Sequence, residues 1–221
     1  MFRFILLSLV LSSLIGCSGT LYVYKENLKL LFKSPAVVSP DRAYVAASQY
    51  DIIQVNIADK QAIMALAFVE QGQDKFISAD NGFVIFANGR IVRTAGFIDN
   101  LLHVHNLTAD PLKQSFSVLG GRRWQYVEQT NTLTAKVNSA QFNIEGQRVM
   151  TLLNSELTTV LLSETVHPEN EGSFVNFYWF DETSGELIKT KQHPANMTDA
   201  VTVTFLSRVN RILSVIPGES K

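Results

Sequence analysis

The chain has 221 residues, 46% of them hydrophobic, with a formal net charge of −1 and one cysteine. It is long enough to bury a sizeable core, and one all-β domain of this length is ordinary. The absence of a basic excess excludes electrostatic capture of nucleic acid or anionic headgroups, and a single cysteine excludes an internal disulfide.

Arg3 precedes an apolar run from Phe4 to Gly16. The run is too short to span a bilayer and ends in small residues, so residues 1–16 read as a secretory signal. Leu14-Ile15-Gly16-Cys17 closes it. A bacterial lipoprotein is cleaved before such a cysteine, whose thiol carries diacylglycerol and whose new amine is acylated. Cys17 is therefore the expected lipidation site, residues 17–221 one lipid-anchored β domain, and 17–23 its tether. Each buried methylene contributes about 0.8 kcal/mol, so several acyl chains anchor durably. Ser18, where an Asp would favour inner-membrane retention, points to the outer membrane, and the domain is expected to face the periplasm. No cofactor beyond the covalent lipid is expected.

Tyr24 to Lys33 carries apolar residues at 24, 28, 31 and 32, a helical spacing just past the tether. Beyond Tyr44 the period falls to two. Ile53, Val55 and Ile57 alternate with Gln54 and Asn56, and Ile63–Val69 and Phe83–Ala87 are apolar throughout. Asn88-Gly89, between two such runs, is a two-residue hairpin signal. Further strands are predicted over Arg123–Gln129, Thr134–Val137, Gln141–Ile144, Leu157–Val166, Phe174–Phe180, Glu186–Gln192 and Val201–Leu206. About a dozen short strands at this spacing predict an all-β fold, an antiparallel barrel or sandwich.

Asn88-Gly89-Arg90-Ile91-Val92-Arg93-Thr94-Ala95-Gly96-Phe97 resembles the Gly-Arg-x-x-x-Thr-Ala-Gly segment of the YjbF/GfcB group 4 capsule lipoproteins. Asn100-Leu101 and Asp110-Pro111-Leu112 continue the pattern. Asn176 to Asp181, Thr183-Ser184-Gly185 and Gln192-His193-Pro194 resemble its C-terminal block. The chain departs at Thr190 and in the shortened spacing from Gln192 to Pro194. The resemblance runs from about Leu28 to Leu206. It implies a large antiparallel β structure and an outer-membrane lipoprotein of a capsule or exopolysaccharide operon. It implies no catalytic residues.

Several residues carry alternative readings. Arg90 and Thr94 share one strand face and Arg93 takes the other. Either one guanidinium binds a sugar carboxylate or a partner's acid through its planar fork, or it makes a structural ion pair or carbonyl clamp inside the barrel. Tyr178 and Trp179 alternate, and either stacks on sugar rings or fills the core. Trp124 and Tyr126 carry the same ambiguity. Asn176 and Gln192 suit buried hydrogen bonding to loop backbone. His103 and His105 share a face but have no third ligand near in sequence, so they read as an exposed pair and no metal site is expected. The expected function is a non-enzymatic accessory of polysaccharide secretion that binds glycan or an export partner. A glycan-modifying or glycan-cleaving enzyme and a structural envelope-assembly partner are the alternatives.

Overall fold

The structure, a computed structural model, describes residues 40–97, 99–131 and 135–215. The signal peptide, Cys17, the tether and the helix expected over Tyr24–Lys33 lie outside the described residues. A short helix α1 (Arg42–Ala46) opens the described chain, capped by the Asp41 carboxylate, which accepts from the Tyr44 N–H at 2.8 Å.

Twelve strands follow. They are β1 (Ile52–Ile57), β2 (Lys60–Glu70), β3 (Gln73–Ile77), β4 (Phe83–Ala87), β5 (Arg90–Ala95), β6 (Leu101–His105), β7 (Arg123–Thr130), β8 (Ala135–Leu152), β9 (Ser155–Pro168), β10 (Phe174–Asp181), β11 (Leu187–Gln192) and β12 (Val201–Thr204). Every pairing is antiparallel, in the order β5-β4-β3-β2-β1-β12-β11-β10-β9-β8-β7-β6. The sheet curls into a nearly closed barrel. Its two end strands, β5 and β6, meet where Thr94 Oγ1 accepts from the Leu101 N–H at 2.9 Å.

Period-two alternation decides which side chains enter the barrel. Val55, Val203, Tyr178, Leu162, Phe142 and Phe86 are among those buried inside. The Asn88-Gly89 turn forms as expected, with φ of 51° and 87°. It is also a point of close approach, since a Cβ at Gly89 would lie 2.1 Å from Leu187 Cδ2. Gly89→Ala should therefore cost about 2–4 kcal/mol, from left-handed strain plus displacement of Leu187. Urea unfolding measures it, and a loss below about 0.5 kcal/mol would show that Leu187 yields freely.

Two expectations need correction. The predicted strands Thr134–Val137, as far as it is described, and Gln141–Ile144 fall within one long β8 that begins at Ala135, because Asn138 and Ser139 continue the ladder instead of turning. A bulge at Gly146, where φ is 91°, bends β8 without ending it. The last predicted strand stops at Thr204, and helix α2 (Leu206–Val215) begins where that strand was expected to end. Leu206, Val209 and Leu213 recur at helical spacing and are buried. Ser207 Oγ accepts from the Ile52 N–H at 2.9 Å, and Arg211 pairs with Asp51 at 2.7 Å, so α2 docks on the start of β1.

Candidate functional site

Arg90 stands at the first position of β5, directly after the tight turn, and is 3% exposed. Its guanidinium makes two forked pairs. Nε and Nη2 donate to Asp110 at 2.6 and 3.3 Å, and Nη1 and Nη2 donate to Glu164 at 3.1 and 2.8 Å. Asp110 comes from the connection after β6, where its Oδ1 also caps a 3-10 turn at Leu112 N–H, 3.0 Å away. Glu164 comes from β9, four strands from β5 by way of the β5–β6 seam. The rings of Trp124 and Tyr126 stack 4.3 Å apart on β7, and the Arg90 Cζ lies 4.3 and 5.3 Å from their centroids.

The strand register supplies the rest. It aligns Phe142, Glu164 and Asn176 across β8, β9 and β10, and Tyr178 with Thr190 on β11. Glu164 Oε2 accepts from Asn176 Nδ2 at 2.9 Å and from the Tyr178 hydroxyl at 2.8 Å. Gln192 donates to the Gly89 carbonyl at 2.8 Å and accepts from the Ile91 N–H at 3.1 Å, which ties the β4–β5 hairpin to β11. Asn176 Oδ1 accepts from the His193 N–H at 2.9 Å, holding the turn after β11.

Burial acts to lower the Arg90 pKa, but Asp110 and Glu164 outweigh it and hold the group well above its ordinary value. Burial pushes the Tyr178 hydroxyl well up. One cation thus faces two carboxylates, and a third acid is close. Glu128, on the inner face of β7, is pushed up to about 7 by burial, against the pull of Arg90 and with a push from Glu164. Its Oε2 and both amide atoms of Asn138 are buried with no hydrogen-bond partner. Asn138 favours the charged form of Glu128 electrostatically, but no hydrogen bond of good geometry joins them.

The candidates named from the sequence therefore part company. Arg90, Thr94, Asn176, Tyr178 and Gln192 are buried inside the barrel, as are Trp124 and Tyr126. Arg93 is exposed on the opposite face of β5, and Trp179 points out of β10, partly exposed. His103 and His105 are both exposed on β6, their rings edge-on with centroids 4.5 Å apart. Among the described residues no three metal-ligating side chains gather. The interior carboxylates of Asp110 and Glu164 are buried and paired with Arg90. Glu164, Glu128 and Asn138 were not singled out from the sequence, and Asp110 entered only as part of the Asp110-Pro111-Leu112 motif. The available signal was an acid on the apolar side of an alternating strand, as in Leu162-Glu164-Val166 with one residue between each pair.

A family model described as "Group 4 capsule polysaccharide lipoprotein gfcB, YjbF" matches residues 25–206. The chain belongs to the YjbF family. It is 30% identical over 186 residues to the lipoprotein YjbF of Escherichia coli K12, covering 80% of this chain and 85% of that one. It is 25% identical over 210 residues to the lipoprotein GfcB of the same organism, covering 92% and 98%. The crystal structure of the hypothetical lipoprotein YmcC from E. coli K12 shares the fold, with a TM-score of 0.69, 23% identity, and coverage of 76% of this chain and 89% of that one. Of the residues in the motifs quoted above, Arg90, Asp110, Asn176, Tyr178 and Gln192 join the internal network, whereas Arg93 and Trp179 face outward.

Proposed function

We propose that this protein is a lipid-anchored, non-enzymatic accessory of capsule or exopolysaccharide secretion. Cys17 carries the lipid, holding the barrel at the outer membrane on its periplasmic side, where it engages glycan or an export component. The observation that carries the reading is family membership over most of the chain, joined to a motif that builds the barrel interior instead of a reaction centre. An address at the outer membrane is far from cytoplasmic sugar donors, which suits export better than synthesis.

The test is deletion in the native host, with complementation by wild type and by Cys17→Ala. Deletion should lower surface and secreted polysaccharide while the repeat unit is still made. Cys17→Ala should fail to restore export, and should either leave the outer-membrane fraction or remain uncleaved at the inner membrane. Unchanged export after deletion would overturn the role. A Cys17→Ala protein that fractionates and migrates like wild type would overturn the anchor.

A further inference from the structure

The outer face of the sheet carries an arrangement that the internal network does not use. Partners in register share a sheet face. Trp179 on β10 sits between Leu161 on β9 and Lys189 on β11, and Phe177 sits between Ser163 and Lys191. Lys189 and Lys191 pair in turn with Thr204 and Thr202 on β12, and these with Gln54 and Asn56 on β1. Two adjacent rows therefore cross five strands. With strands about 4.8 Å apart, the rows run roughly 19 Å across the sheet.

Their chemistry changes along the way. Phe177 and Trp179 form an aromatic end, their ring centroids 6.0 Å apart. The two lysines follow, with Lys189 Nζ 5.5 Å from the Trp179 centroid. Thr202, Gln54 and Asn56 finish the strip with hydroxyl and amide groups, and Gln54 Nε2 lies 3.4 Å from Asn56 Oδ1. All of the row residues are at least partly exposed except Ser163 and Thr204. Among the described residues neither lysine has an acidic partner. Glu145, two strands from Phe177, is engaged by Ser163 Oγ at 2.6 Å. Lys189 is pulled below its ordinary pKa by partial burial and by Lys191, so the two cations stand close without neutralisation.

We propose that this strip binds an acidic polysaccharide lying across β10, β11, β12 and β1. Trp179 and Phe177 stack on the apolar faces of sugar rings, Lys189 and Lys191 pair with sugar carboxylates, and Thr202, Asn56 and Gln54 bond to hydroxyls. A row that passes from aromatic to cationic to hydroxyl and amide groups around the curve of the sheet suits a linear polymer. A membrane surface would need protruding apolar tips, whereas both aromatics lie partly buried in the sheet. The choice of ligand rests on the export role proposed above.

The probe is alginate, a polyuronate, against neutral dextran, titrated onto the full acylated protein in detergent and read by calorimetry at low and high salt. Wild type should bind alginate, lose it as salt rises, and ignore dextran. Trp179→Ala should weaken binding by about tenfold, the loss of one ordinary contact. K189Q/K191Q should abolish it, and Lys189→Gln alone should give an intermediate loss at an unchanged melting temperature. Equal binding of alginate and dextran, full binding by K189Q/K191Q, or a preference for phosphatidylglycerol vesicles over alginate would overturn the site. The same variants in the deletion strain separate the two claims. If deletion impairs export while strip variants restore it fully, the strip is wrong and the role stands. If deletion leaves export intact while alginate still binds through the strip, the role is wrong and the site stands.

Discussion

Arg90→Met should destabilise the barrel by about 3–5 kcal/mol, because it strands two buried carboxylates without their cation. Asp110 and Glu164 are 1% and 0% exposed, so water cannot replace the guanidinium. The size matters because a domain of this kind has only about 5–15 kcal/mol to lose. Arg90→Lys keeps the charge but cannot fork to both acids at once, and should cost about 1–3 kcal/mol. Adding Glu164→Gln to Arg90→Met should recover part of the loss by removing one of the orphaned charges, a non-additivity that only a shared network produces. Urea unfolding midpoints measure all three. A loss under about 1 kcal/mol for Arg90→Met would show that the cluster is not what holds β5 to β9.

Stability should fall as the pH rises through neutrality, and Glu128→Gln should remove that fall. Glu128 has a pKa raised from 4.5 to about 7 in the folded state. The folded protein therefore holds this proton more tightly than the unfolded chain does. The contribution is fully present below about 4.5, declines between there and 7, and is lost above 7. Its size is on the order of 3 kcal/mol. Near pH 5 the neutral acid and glutamine are close isosteres, so the variant should melt near wild type. Near pH 8 the variant should be the more stable. Melting curves of the two that stay parallel across this range would refute a neutral buried acid at Glu128.

The elements that were legible in the sequence were those where a short-range signal met no long-range competitor. Phe83–Ala87 is the observed β4, and Asn88-Gly89 makes the turn after it, because the turn chemistry is local. Arg93 is exposed while Arg90 and Thr94 are buried, as alternation suggested, although a register shift between Ile91 and Arg93 interrupts the alternation itself. What misled was polar content inside strands. Asn138 reads as a turn residue, yet it lies fully buried in the middle of the β8 ladder. The partners of Arg90 were not legible, since Asp110 and Glu164 stand 20 and 74 residues away and only the curl of the sheet brings them together. Glu128 was nearer to hand, between inward Tyr126 and Thr130, and an acid there signals a buried site. The C-terminal helix was hidden because Val201–Leu206 continues a strand pattern up to the residue where Leu206, Val209 and Leu213 take over.

The order of the strands bears on how the barrel comes into being. Every other neighbour in the sheet is also a neighbour in sequence, so hairpins from β1 to β5 and from β6 to β12 can form by local search. The exception is the ladder of β1 with β12, which joins the two halves at the middle of the sheet. Until that ladder forms, the two meanders are joined at the β5–β6 seam, and β1 and β12 each present an open edge. Closing that ladder carries the largest loop-closure entropy in the sheet, so it sets the slow, concerted step, and the chain remains exposed to edge pairing with other chains until it is taken.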